Sequence, residues 1–185
     1  MALMERPMKE MLEIEIKAPC ADLGAVKAKA LSLGAEPMGT SEETDRYFSH
    51  PCRDFGETDE ALRVRRKEGR ARLTYKGPKL GDRGKTRYEK EVFVEDGTAL
   101  EEVLLKLGFL DVETVRKNRE MLRLGEVEIC LDDVEGVGSF VELEIQGRER
   151  EAGEEKLFTL ARELGLGRFE RKSYLEMKLE KISGA

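Results

Sequence analysis

The chain has 185 residues, 39% of them apolar and 39% charged, with a formal net charge of -6 at pH 7. That length is enough to bury a core within one domain, and the acidic balance argues against a general nucleic-acid binder, which carries a basic surplus. No apolar run approaches the roughly 20 residues that span a bilayer, and the opening MALMERPMKE lacks the apolar stretch of a signal peptide, so a cytoplasmic protein independent of membrane and nucleic acid is expected.

In chain order, residues 11–18 read as a strand in which Glu13, Glu15 and Lys17 share one face and Leu12, Ile14 and Ile16 the other. Asp22 is placed to cap a helix that runs to Leu33 and stops at Gly34. Residues 44–48 read as a strand, followed by a polar loop through Pro51 and Gly56. Residues 61–67 and 70–76 form an expected hairpin around Glu68-Gly69, and a loop with Gly77, Pro78, Gly81 and Gly84 leads into a strand over 86–95. A helix is expected over 98–107. The second half follows a similar order, without a residue-level repeat: strands over 112–124 and 127–133 turning at Gly125, a strand over 140–146, a helix over 151–164 and a short helix over 173–179. No linker divides the chain, so one domain over 1–185 is expected. Strands dominate and hairpins are many. The expected class is α+β, mainly β, with an antiparallel sheet closed as a barrel and helices at its periphery.

The same segregation of charge recurs on the later strands. Arg63 and Arg65 lie opposite Leu62 and Val64, and Thr74 and Lys76 lie opposite Leu73 and Tyr75. Arg87, Glu89 and Glu91 share a face, as do Lys117 and Arg119. Asp132 lies opposite Ile129 and Leu131, and Glu142 and Glu144 lie opposite Val141, Leu143 and Ile145. If the apolar faces pack under helices, the charged faces line the interior of the barrel, and a small barrel can enclose a ligand. Desolvated Lys and Arg call for an anionic partner, guanidinium groups match phosphate oxygens, and carboxylates suit a hard divalent cation that bridges phosphates.

Other chemistries find less support. Cys20, Cys52 and Cys130 are far apart and without metal-ligand spacing, and His50 with Cys52 supplies two ligands where tetrahedral zinc needs four. His50 is the only histidine, and no serine near it has the setting of a triad nucleophile. Gly84-Lys85-Thr86 looks like the end of a phosphate-binding loop, but Lys79 stands where the earlier glycine belongs and the next segment alternates like a strand.

Four motifs in order carry a family resemblance. They are Glu13-Ile14-Glu15-Ile16-Lys17; Asp59 through Arg65; Leu73-Thr74-Tyr75-Lys76-Gly77-Pro78; and Asp132 followed by Gly138-Ser139-Phe140-Val141-Glu142-Leu143-Glu144. Together the chain resembles the CYTH superfamily, the triphosphate tunnel metalloenzymes, over nearly its whole length. Tyr47-Phe48, His50-Pro51-Cys52, the Asp59–Arg65 run and Ile129-Cys130-Leu131-Asp132 make it most similar to the class IV adenylate cyclase branch. The resemblance implies an eight-stranded antiparallel tunnel that binds Mg²⁺ or Mn²⁺ and acts on a small-molecule triphosphate: ATP, tripolyphosphate or thiamine triphosphate. Glu13, Glu15, Glu142 and Glu144, with Asp132 close by, would hold the metal. Lys17, Arg63, Arg65, Lys76, Lys117 and Arg119 would hold the triphosphate, with Arg87 as a further member and Lys172 as a basic residue near the last helix. Glu13, Glu15 and Lys17 would form the catalytic set. Both cyclisation of ATP to cyclic AMP and hydrolysis of a triphosphate fit this pattern, and a non-catalytic polyphosphate binder is the contrasting class. A homodimer is left open.

Overall fold

The charge alternation is laid out on eight strands: β1 (Leu12–Pro19), β2 (Glu36–Ser49), β3 (Ala61–Lys67), β4 (Arg70–Lys76), β5 (Arg87–Val94), β6 (Leu110–Leu124), β7 (Val127–Val134) and β8 (Gly138–Gly147). The structure is a computed structural model and describes residues 11–184. The segment 1–10, read above for a signal peptide, and residue 185 lie outside them. Neighbouring strands are antiparallel, and the order β1-β5-β4-β3-β2-β6-β7-β8 closes on itself. Closure removes the open edges that would otherwise invite pairing with other chains.

Four helices lie against this barrel: α1 (Leu23–Ser32), α2 (Gly97–Lys106), α3 (Arg150–Glu163) and α4 (Tyr174–Ser183). Three begin at side-chain caps that satisfy the first free N–H groups. Asp22 accepts from Ala25 N–H, Asp96 accepts from Thr98 and Ala99 N–H, and Ser173 with Glu176 forms a reciprocal capping box. Between β3 and β4 the tight turn needs two left-handed residues, supplied by Glu68 at φ 50° and Gly69 at φ 73°.

The core surrounds the barrel instead of filling it. Ile14 and Ile16 of β1, Leu122 of β6, Ile129 and Leu131 of β7, and Val141 and Leu143 of β8 point outward. They pack with Val26 and Ala30 of α1 and with Leu157, Leu160 and Ala161 of α3. Gly153 lets α3 approach β1 closely, since a Cβ there would sit 2.4 Å from Cδ1 of Ile14. On the opposite wall Phe48, Leu62 and Val64 pack with Phe55 and with Leu104 of α2. Period-2 alternation then turns the charged residues of the same strands into the lumen.

Two elements run four or more residues past their expected bounds. β2 begins at Glu36, well before residue 44, because Pro37, Gly39 and Ser41 read locally as loop. The strand there pairs with β6 from Glu36 onward but with β3 only from Glu43. Its first half thus has one free side, where a proline removes no ladder bond, and a register shift between Pro37 and Gly39 absorbs the irregularity. Helix α4 continues past residue 179 to Ser183. Packing against the barrel accounts for most of the apolar burial, so Leu157→Ala, at a side chain with 0% exposure, is expected to cost about 2–5 kcal/mol in urea unfolding. A loss below about 1 kcal/mol would contradict this placement of the core.

Candidate active-site tunnel

The lumen is held by an unbroken succession of opposite charges. Starting on β1, Glu13 pairs with Lys76 of β4 at 2.8 Å, Lys76 with Glu89 of β5, and Glu89 with Arg63 of β3 at 3.8 Å. Arg63 reaches Asp45 of β2 at 3.2 Å, and Asp45 takes a two-pronged contact from Arg65 at 2.6 and 2.7 Å. Arg65 continues to Glu43 at 3.0 Å, Glu43 to Lys117 of β6 at 3.3 Å, and Lys117 to Asp132 of β7 at 3.4 Å. Arg119 then clasps Asp132 at 2.7 and 2.6 Å and bonds Glu142 of β8. Lys85 bridges Glu142, at 3.4 Å, to Glu15, back on β1. Thirteen groups form a belt that runs from Glu13 to Glu15, both on β1, around a cavity of about 460 Å³.

Burial and pairing set the charge state of this belt. Burial alone pushes Glu43 and Asp45 up, but the neighbouring Arg65 overcomes it, so Glu43 is held at about 2 and Asp45 well below the usual carboxylate range. Glu13 is likewise depressed against burial, chiefly by Lys76. The ammonium of Lys17 is lowered to about 7, first by burial and then by the adjacent Lys85. It donates to the Lys172 carbonyl and lies 4.2 Å from the Tyr174 ring centre. Among the described residues Arg63 keeps a buried Nε without a hydrogen-bond partner, a donor that an anion in the cavity can satisfy.

On the wall formed by β1 and β8 the acids outnumber their partners. Glu15 and Glu144 face each other across the ladder. Glu15 is raised by burial and by Glu142, and Glu144 is raised to about 8 by burial and by the charge of Glu13. Among the described residues Glu144 has no ion pair, and its one side-chain hydrogen bond is to the Cys130 thiol at 4.0 Å. Mutually repelling carboxylates form the hard oxygen set that Mg²⁺ or Mn²⁺ prefers, so the donors fit the cation in kind. Among the described residues, no three His, Cys, Asp or Glu side chains already converge as a metal cluster. Glu13, Glu15 and Glu142 instead rest on Lys76, Lys85 and Arg119. Asp132 stands apart from that wall, with Arg119 on both oxygens and the Tyr174 hydroxyl donating to Oδ2 at 2.8 Å.

The predicted site residues other than Lys17 and Asp132 therefore line one lumen, with Arg87 at one end against Asp59 at 3.6 Å, while Lys17 and Asp132 are buried against Tyr174. Lys172 does not join them: its ammonium is exposed and pairs with Glu180. Four residues were not singled out from sequence. Glu43 and Asp45 precede and begin the strand expected from residue 44, and the continued alternation Glu43-Thr44-Asp45-Arg46-Tyr47 was their signal. Lys85 and Tyr174 had none, because each reaches the lumen from outside the strands. His50 packs between Phe55 and Phe109 and accepts from the Cys52 N–H at 3.1 Å, while Cys52 is exposed.

Where β2 enters loop 50–60, the cavity has an apolar rim of Tyr47, Phe55, Val112, Leu175 and Leu179. Lys79 spans this mouth, donating to Asp59 at 2.7 Å and reaching Glu176 of α4 at 3.3 Å. Asp59 holds φ 54° to do so, a conformation that Asp tolerates better than most residues.

A closed antiparallel barrel whose lumen is lined by opposed acids and bases defines a charged-tunnel protein. The CYTH domain family matches residues 11–174, and the chain belongs to it. Within that family its relatives carry adenylate-cyclase names. The Methanocaldococcus jannaschii protein MJ0240, provisionally named an adenylate cyclase, is 39% identical over 173 residues, 91% of this chain and 99% of the relative. The adenylate cyclase CyaB of Aeromonas hydrophila is 28% identical over 72% of this chain and 68% of its own. Among solved structures, the PH1819 protein of Pyrococcus horikoshii superposes with a TM-score of 0.84 at 43% identity, covering 91% and 99% of the two chains. HpAC1 from Hippeastrum, described as having a dominant triphosphatase activity, shares the fold at a TM-score of 0.68 and 19% identity over 92% and 96%.

The state of Glu144 makes a stability prediction. Its folded value of about 8 lies above the 4.5 of the free side chain, so the folded protein binds the extra proton between those limits and loses stability as pH rises through them. Glu144→Gln removes that loss. With a chelator present, the variant is expected to gain on the order of a few kcal/mol over wild type at pH 8.5 relative to pH 5. Thermal unfolding at the two pH values reads the difference, and an equal offset at both would rule the assignment out.

Proposed function

We propose that this protein is a divalent-metal-dependent adenylate cyclase that converts ATP to cyclic AMP and pyrophosphate. The observation that carries the reading is the lumen itself: a 460 Å³ cavity with a cationic wall at its centre, an acidic wall beside it and an apolar rim at one mouth. A triphosphate needs the first, its metal the second, and the organic part of a nucleotide the third. Bare tripolyphosphate would leave the rim without a use.

In this reading Arg63, Arg65, Lys117 and Arg119 take the phosphate oxygens, the guanidinium groups in two-pronged fashion, and Lys76 and Arg87 extend the contact along the chain of phosphates, with Lys17 buried behind them against Tyr174. Asp45 and Asp132 position these bases through the contacts already described. Tyr174, bonded to Asp132, holds the mouth side of the cradle. Glu13, Glu15, Glu142 and Glu144 would hold Mg²⁺ or Mn²⁺, which supplies charge neutralisation and activates the attacking hydroxyl. The ribose 3′-hydroxyl gives up its proton to solvent, its oxygen forms a bond to the α-phosphorus while the bond to the bridging oxygen breaks, and the displaced pyrophosphate keeps the electron pair. The surrounding cations stabilise that developing charge, the dominant contribution in phosphoryl transfer.

A second reading, hydrolysis of inorganic, thiamine or nucleoside triphosphate, draws on the same cradle, and the Hippeastrum protein pairs this fold with a dominant triphosphatase activity. The two part at the product. Incubation with ATP and Mg²⁺ or Mn²⁺ is expected to yield cyclic AMP and pyrophosphate without orthophosphate; orthophosphate from ATP or tripolyphosphate, with no cyclic AMP, would replace the cyclase by the hydrolase. Changing Glu13 and Glu15 together to Gln is expected to lower turnover at least about a hundredfold and abolish its metal dependence. Unaltered rates and metal response would remove these acids from the site.

A further inference from the structure

Of the basic residues lining the cavity, Lys85 alone comes from outside a strand, two positions before β5. The backbone around it is pinned. Lys85 N–H donates to the Glu15 carbonyl at 2.8 Å, Leu80 N–H donates to the Thr86 carbonyl at 2.7 Å, and the Thr86 hydroxyl donates to Glu154 at 3.2 Å. Arg171 donates to the carbonyls of Gly81 and Gly84 at 2.8 and 3.3 Å. Gly84 permits this closeness, because a Cβ there would lie 3.1 Å from the Glu15 carbonyl oxygen. The anchored main chain delivers the ammonium of Lys85 to Glu15 of β1 and Glu142 of β8.

Glu142 is served twice, by Lys85 at 3.4 Å and by Lys17 at 3.9 Å, and also bonds Arg119. The two ammonium groups crowd one another, so one of them is dispensable as soon as another positive charge arrives. Lys17 is locked by the Lys172 carbonyl and the Tyr174 ring. Among the described residues Lys85 has no hydrogen-bond acceptor for its ammonium beyond the two carboxylates, and its four-carbon stem can swing while the backbone stays fixed.

We infer that Lys85 is an internal stand-in for the divalent cation: in the metal-free tunnel its ammonium neutralises Glu15 and Glu142, and entry of the metal releases it toward the phosphates. The inference rests on the metal-dependent reading above and adds a positioning residue to it. Lys85 thus keeps the acidic wall neutral while the tunnel is empty and adds a cation to the cradle once the metal is seated. Metal and triphosphate binding are thereby coupled through one side chain.

The test measures Mn²⁺ affinity by electron paramagnetic resonance without substrate, then tripolyphosphate affinity with Mg²⁺ saturating. Lys85→Gln is expected to bind Mn²⁺ about tenfold more tightly than wild type and metal-loaded tripolyphosphate more weakly. Lys67→Gln, which removes a lumen lysine that pairs with Glu43 at 3.5 Å, controls for net charge and is expected to change Mn²⁺ affinity less than about threefold. Equal tightening in both variants, or none in Lys85→Gln while wild type binds Mn²⁺, would overturn the inference and leave the metal reading standing. Absence of Mn²⁺ binding by wild type would overturn both. A measurement on wild type needs no variant to fold: reductive methylation with formaldehyde, mapped by mass spectrometry, is expected to spare Lys85 in chelator and to modify it at saturating Mg²⁺. Labelling of Lys85 that ignores Mg²⁺ would overturn the inference independently.

Discussion

The belt of alternating charge inside the barrel is the constraint on which the rest of the structure depends. Moving an ion out of water costs several kcal/mol, and mutual attraction offsets that only where geometry is good and the remaining lone pairs are satisfied. Here nearly every member touches two opposite charges, one on each side. A cylinder lined this way cannot collapse onto an apolar centre. Its hydrophobic stabilisation must come from outside, and α1 and α3 are laid over one wall and α2 over the other to provide it.

The belt is not uniform. Bases on β3 and β6 hold Glu43 and Asp45 firmly ionised, whereas Glu15 and Glu144, facing each other on β1 and β8, are pushed toward their protonated forms. One sector is therefore satisfied as it stands, and the other is stabilised by added positive charge. In the proposed function that asymmetry would orient a metal-bound polyphosphate, phosphate oxygens toward the guanidinium groups and metal toward the glutamates.

Much of this was legible in the sequence, and the reasons differ from residue to residue. Strand parity placed Arg63, Arg65, Lys117, Arg119, Glu142 and Glu144 on one face because period-2 geometry is local and leaves no alternative once the strand is recognised. Glu43 was overlooked because Pro37 and Gly39 disguise the start of β2, and only pairing with β6 makes that stretch a strand. Lys85 was set aside with a spurious phosphate-loop reading, and Tyr174 carried no pattern at all. Both meet partners far away in sequence, Glu15 and Asp132, and such encounters depend on how loops and helices fold back over the barrel. Lys172 failed for the same reason in reverse: its backbone carbonyl enters the network while its side chain turns to solvent.

An apolar shell outside and a polar wall inside also separate two kinds of evolutionary freedom. The outward residues of β1, β7 and β8 are tied to helix packing, so a change in their size is costly. The inward ones answer mainly to charged neighbours around the ring, and an acid and its basic partner replaced together leave no unpaired buried charge. Such a barrel can change its cargo in paired steps, and relatives that keep the same frame can diverge in chemistry without passing through an unfolded ancestor.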